Sequence, residues 1–129
     1  QGIPYVATNP DRVCPTDRAE VLVDCGSICK CIEYATGREP DLVLGKPDPG
    51  MLTGIAVRYG LQPSEIAMAG DRIYTDVATA RNAGSLGVLV LSGETTLETA
   101  LASDPGPDLT ARTLREFGEL LEEARQYHP

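Results

Sequence analysis

The chain has 129 residues, one domain's worth, and is 42% hydrophobic, enough to bury a real core. Only 5% is aromatic and tryptophan is absent, so that core must come from Val, Leu, Ile and Ala. A formal net charge of −8 argues against nucleic-acid or anionic-membrane partners, and no apolar stretch approaches the roughly 18–20 residues of a membrane span.

Ile3–Ala7 reads as a buried strand ended by a Thr8-Asn9-Pro10-Asp11 turn. Residues 12–20 are polar and loop-like, and Glu20–Val23 is a short strand or a bridge. Cys25–Ala35 has helical spacing and Gly37 stops it. Asp41–Leu44 is a short strand. Pro47 and Pro49 precede a helix over Gly50–Tyr59, with an apolar stripe of Met51, Leu52, Ile55 and Ala56. Ile66–Ala69 is the next strand and Tyr74–Ala83 the next helix. Leu86–Leu91, the most continuous apolar run, predicts a buried parallel strand. Thr95–Ala102 is a short helix and residues 104–108 a loop. Thr113–Tyr127 is amphipathic, with Leu114, Phe117, Leu121 and Ala124 expected inward. Strands alternate with helices from residue 41 onward, which predicts an α/β fold with a parallel sheet.

Ligands of open α/β sheets bind at the carboxyl ends of the strands. Lys46, Asp71 and Ser92 each fall just past a strand end, so three loops can meet there. In Gly70-Asp71-Arg72-Ile73-Tyr74-Thr75-Asp76 the first carboxylate sits on a turn, free to ligate a cation. Asp76 can ligate the same ion or hydrogen-bond its water shell. Hard carboxylate oxygens suit Mg²⁺, which keeps several waters and bridges to phosphate. Lys46 supplies a mobile positive charge for phosphate oxygens. Taken singly, Asp71 would be an Asx turn or a helix cap and Lys46 a solvated loop lysine; their joint placement gives them weight.

The four cysteines include a C-x3-C-x-C run at 25, 29 and 31, which is not a usual zinc spacing. On a helix, Cys25 and Cys29 share a face and Cys31 points elsewhere. The plain reading is small, half-buried residues in a reducing cytoplasm, with a metal or redox role as the alternative, and no signal-peptide pattern opens the chain. The sole histidine, His128, is next to the C-terminus, so no Ser-His-Asp or Cys-His arrangement is credible, and no Gly-rich P-loop occurs. The chain opens at Gln1 and turns apolar almost at once, which suggests that the start of a larger protein is missing.

Together these residues resemble the haloacid-dehalogenase (HAD) superfamily of phosphatases, and within it the NagD/4-nitrophenylphosphatase-like branch. Leu44-Gly45-Lys46-Pro47-Asp48-Pro49-Gly50-Met51 is similar to that branch's third motif, and Ala69 through Asp76 to its fourth. Ala7-Thr8-Asn9-Pro10-Asp11 resembles a cap-domain segment, and Gly84–Gly93 the strand and loop that follow the fourth motif.

The resemblance implies a HAD-like Rossmannoid three-layer sandwich. Residues 1–36 would be the end of a cap domain and the return to the core, and 37–129 the C-terminal half of that core. It implies a Mg²⁺-dependent phosphomonoester hydrolase acting through an aspartyl-phosphate on a small phosphorylated substrate. Lys46 would steady the phosphate and the intermediate, Asp71 would bind Mg²⁺, and Asp76 would support it. The loop carrying Asn9, Asp11 and Arg12 would approach the substrate. Arg12 reads equally well as an anion clamp and as a solvated loop residue.

The family's nucleophile, an aspartate in a strand-ending D-x-D-G-T pattern, does not occur among the 129 residues, nor does any D-x-D. Taken alone the chain is expected to be inactive, with half a core and an unpaired strand edge that a missing N-terminal half or a second copy completes. The alternative is a non-catalytic module that kept the fold and acts by association. A receiver-like signalling domain fits less well, because the order of the motifs is wrong for it.

Overall fold

A computed structural model describes residues 2–127; Gln1, His128 and Pro129 lie outside them. β1 (Val6–Ala7) is followed by β2 (Val13–Pro15) and β3 (Val21–Val23), which form an antiparallel ribbon with Cys14 opposite Leu22. α1 (Cys25–Thr36) starts at Asp24, whose extended backbone lets its carboxylate accept the Cys25 N–H at 2.6 Å. β4 (Leu42–Val43) returns to pair in parallel with β1. α2 (Gly50–Tyr59) begins beside Asp48, whose carboxylate accepts the Gly50 N–H at 2.7 Å.

The larger sheet follows. β5 (Ala67–Gly70) leads into a wide turn of π geometry, Ile73–Val77, and then α3 (Ala78–Ala83). β6 (Leu86–Val90) leads to α4 (Leu97–Ala102), capped by Thr96, and β7 (Leu109–Ala111) leads to α5 (Leu114–Tyr127). β5, β6 and β7 are parallel and lie in that order.

The alternation along β6 builds the core. Leu89 packs with Val77 and Ala100 on one face, while Val88 packs with Ala111 and Phe117 on the other. Burying side chains of this size contributes about 1.5–3 kcal/mol each, so the central strand and its two neighbouring layers hold this half together. Helices on both faces of a parallel sheet bear out the α/β reading.

Four details differ from expectation. Residues 12–20 are not all loop, because Val13–Pro15 pairs with Val21–Val23. Leu109–Ala111 is a strand that three residues between Pro107 and a helix could not announce; β6 recruits it, and Leu91 N–H bonds Ala111 O at 3.0 Å. On α5 only Phe117 is buried, whereas Leu114 is 62% exposed and Leu121 is also exposed. On α2 Leu52 alone is buried, and Met51 and Ile55 face outward. Periodicity marks an apolar face but not whether anything covers it. Among the described residues nothing pairs with the outer edge of β5, and no helix is long and apolar enough to cross a membrane.

Candidate active site

The site lies where the carboxyl ends of β4, β5 and β6 open into loops. Lys46 follows β4 after Gly45, whose φ is +94°. A Cβ at Gly45 would stand 2.7 Å from Thr8 O and 3.1 Å from Asn9 Cα. Only glycine therefore lets the lysine loop and the Thr8–Asn9 loop touch backbone to backbone. The Lys46–Pro47 peptide is cis, and Asn82 of α3 donates to Pro47 O at 2.8 Å.

Lys46 Nζ reaches across to Asp76 Oδ1 at 2.8 Å, an ion pair joining the β4–α2 loop to the π turn. The Asp76 side chain is 6% exposed and that of Lys46 44%, so a buried carboxylate is met by a cation that still sees solvent. The Arg72 N–H fills Asp76 Oδ2 at 3.1 Å. The π turn makes this possible: Asp76 N–H and Val77 N–H both bond to Arg72 O, which turns the side chain back toward β5. Gly70 completes the fit, since a Cβ there would overlap the Asp76 side chain.

Asp71 follows β5 directly and is half-buried. Its Oδ2 accepts the Glu94 N–H at 2.8 Å from the loop after β6, and its carbonyl accepts the Thr95 N–H at 3.2 Å. Gly93 is what allows that loop so close, because a Cβ there would overlap Asp71. Ser92, the residue expected from this loop, is exposed. Glu94 takes its place. One carboxylate oxygen pairs with Arg72 Nε at 2.6 Å and the other accepts from Tyr74 Oη at 2.8 Å. The Glu94 hydrogen bond, then burial, raises the Tyr74 pKa. Burial works to lower that of Arg72, but Tyr74 and Glu94 outweigh it and the net shift is upward. Sequence reasoning missed Arg72, Tyr74 and Glu94; the signal available was Gly93, a glycine beside an acid after a buried strand.

Asn9 is half-buried beside the lysine loop, where its side-chain oxygen accepts the Asp11 N–H at 2.9 Å. Asp11 is exposed, yet its charge is felt at Tyr74. Arg12 contributes through its carbonyl, which accepts from Asp24 N and Ser27 Oγ. Among the described residues its guanidinium has no ion-pair partner.

The donor set bears on a metal in a definite way. No group of three or more His, Cys, Asp or Glu side chains converges on a metal-sized space among the described residues. Asp76 is committed to Lys46 and Arg72, leaving Asp71 as the carboxylate with capacity to spare. One or two carboxylates with the rest supplied by water and substrate is the arrangement Mg²⁺ accepts, and it is too sparse for a closed structural site. One carboxylate with spare capacity fits a hydrated Mg²⁺ only if its remaining ligands come from water, substrate or groups outside the described residues.

The fold and the site define a parallel α/β domain with a lysine–carboxylate cluster at the carboxyl ends of its strands. The HAD-hydrolase-like family model matches residues 43–117, which include Lys46, Asp71, Asp76 and Glu94, and the chain belongs to that family. A 4-nitrophenylphosphatase from Thermotoga maritima superposes with a TM-score of 0.81 at 42% identity, covering 92% of this chain and 45% of that one. A glycerol phosphate phosphatase from Mycobacterium tuberculosis, solved in complex with magnesium, superposes at 0.77 with 32% identity, covering 89% and 35%. Phosphoglycolate phosphatase 1A, a chloroplastic protein of Arabidopsis thaliana, is 40% identical over 96 residues, 74% of this chain and 26% of its own length. The chain thus spans under half the length of each. The resemblance to the NagD/4-nitrophenylphosphatase branch is borne out by these neighbours.

Proposed function

We propose that this chain carries the phosphate- and metal-holding half of a magnesium-dependent phosphomonoester hydrolase. The observation that carries the reading is the Lys46–Asp76 ion pair at 2.8 Å, set beside Asp71 at the carboxyl ends of β4 and β5. Asp76, itself oriented by the Arg72 N–H, holds the ammonium at a fixed point while leaving it solvent-facing, ready to meet a phosphate oxygen. Lys46 then neutralises charge on the phosphoryl group and on the aspartyl-phosphate that follows. Asp71, oriented by Glu94 N–H, is the residue that would hold Mg²⁺, with Asp76 supporting from behind; when bound, the ion offsets phosphate charge. Asn9, Asp11 and Arg12 shape the entry over the lysine loop and meet the leaving group of a small phosphorylated substrate.

The attacking carboxylate lies outside these 129 residues, because no D-x-D pattern occurs in them. A strand added at the free edge of β5 would end next to Asp71, where the phosphorus must sit. In this reading residues 1–36 are the end of the cap and the return to the core, and 37–129 the C-terminal half of the core. The test is magnesium-dependent hydrolysis of p-nitrophenyl phosphate by this polypeptide, alone and joined to an upstream segment ending in D-x-D-G. Turnover is expected only from the joined form; robust turnover by the polypeptide alone would overturn the assignment of an external nucleophile. A module acting only by association predicts no turnover from either.

A further inference from the structure

Cys25 is the first residue of α1 and Cys29 lies one turn on, on the same face. Their sulfurs stand 3.9 Å apart. Both are free thiols, Cys25 half-buried and Cys29 buried, whereas Cys14 and Cys31 are exposed. Nothing in the phosphate site uses them.

Their surroundings are polar. The Cys25 sulfur faces the Asn9 N–H, the Thr8 hydroxyl and the Thr8 N–H, and these contacts hold its pKa below the usual thiol range against the effect of burial. The helix start adds in the same direction, since its free N–H groups favour a thiolate. On the other side, the Tyr5 hydroxyl is buried without a hydrogen bond of good geometry among the described residues. The neighbouring Cys29 thiol, and after it burial, push the phenol up to about 12, so Tyr5 stays protonated. A groove of about 690 Å³ bordered by Asn9, Arg12, Gly26, Ser27 and Cys29 opens onto Cys29, while Cys25, which does not line it, is half-buried at the helix start. The same Thr8–Asn9 backbone stands against Gly45, so the thiols sit one loop away from Lys46.

We propose that Cys25 and Cys29 form a dithiol modification site that reacts with a low-molecular-weight disulfide and closes reversibly into a Cys25–Cys29 disulfide. The Cys25 thiolate attacks one sulfur of the disulfide RSSR, forming a mixed disulfide and releasing RS⁻. The Cys29 thiol gives up its proton, attacks the Cys25 sulfur and displaces the second RS⁻. The two cysteines are oxidised by two electrons, the reagent is reduced to two RSH, and the two thiol protons end on the products. The sulfurs must close to about 2 Å, and because Cys25 is the first helical residue the movement falls at the helix end. The inference rests on the thiol geometry and not on the phosphatase reading.

The test uses the chain with Cys14→Ser and Cys31→Ser, treated with oxidised glutathione and mapped by mass spectrometry. One tryptic peptide, residues 19–30, carries both thiols. It is expected to lose two hydrogens and retain no glutathione, and dithiothreitol is expected to restore it. With Cys29→Ser added, glutathione stays on Cys25. With Cys25→Ser instead, Cys29 reacts at least about tenfold more slowly, and this difference vanishes in denaturing guanidinium. A stable glutathione adduct on the intact pair, or equal rates for the two single variants in the folded chain, would overturn the proposal.

Discussion

Replacing Lys46 with methionine removes the cation from a carboxylate that is 6% exposed. Breaking a fully buried pair by deleting one partner costs about 3–5 kcal/mol, and an exposed pair is worth about 0–1. Here the lysine side is 44% exposed, so water can approach the stranded carboxylate and the cost should fall between, at about 2 kcal/mol. Asp76→Asn is milder. It frees Lys46 to be solvated and keeps an oxygen for the Arg72 N–H, so it should cost about 1 kcal/mol. The two changes should not add: Lys46→Met with Asp76→Asn strands no charge, and should be more stable than Lys46→Met alone by about 1 kcal/mol. Urea unfolding followed by circular dichroism, with the linear extrapolation applied to all four members of the cycle, measures this. Additive costs, or a Lys46→Met cost under about 0.5 kcal/mol, would refute the view that the lysine compensates a buried charge.

Three further outcomes follow from the packing and the ionic contacts. Gly93→Ala places a methyl group on Asp71 and should cost about 1–3 kcal/mol; under the proposed function, it and Asp71→Asn should both weaken Mg²⁺ binding in a calorimetric titration. Leu89→Ala, at a fully buried position of the central strand, should cost about 2–5 kcal/mol, while Leu101→Ala, 80% exposed, should change unfolding by less than about 0.5. The Tyr5 N–H at 2.6 Å, then Arg38, hold the Asp41 pKa below its usual value, and the Arg112 side chain and N–H do the same for Glu116. A depressed folded-state pKa stabilises above the unfolded-state value, about 4, and that stability is lost as pH falls through the folded-state value. Asp41→Asn with Glu116→Gln should therefore flatten the acid side of a stability–pH profile.

The sequence revealed most where chain direction and chemistry coincide. Lys46 and Asp71 each follow a short apolar run and precede a helix, so their placement at strand ends was legible without knowing what pairs with what. The role of Asp76 was only half legible: its position relative to the lysine depends on the π turn, which no periodicity marks. Glu94 was invisible because it acts first through its backbone N–H, and any residue type offers that. β7 escaped because three residues carry too little pattern, and its identity as a strand comes from β6. On α2 and α5 the apolar stripes were read correctly as stripes. Burial of Met51, Ile55, Leu114 and Leu121 did not follow, since it needs a neighbour that the described residues do not provide.

The edge of β5, which nothing pairs among the described residues, has a kinetic meaning under the proposed function. If the strand bearing the attacking carboxylate is covalently joined upstream, it meets Asp71 at the effective concentration set by its tether, and the rate per molecule is independent of dilution. If it is supplied as a separate polypeptide, the rate should scale with the product of the two concentrations until the edge saturates. A dilution series therefore distinguishes a split enzyme from a continuous one, and its midpoint would report how tightly that single row of backbone hydrogen bonds holds a guest strand.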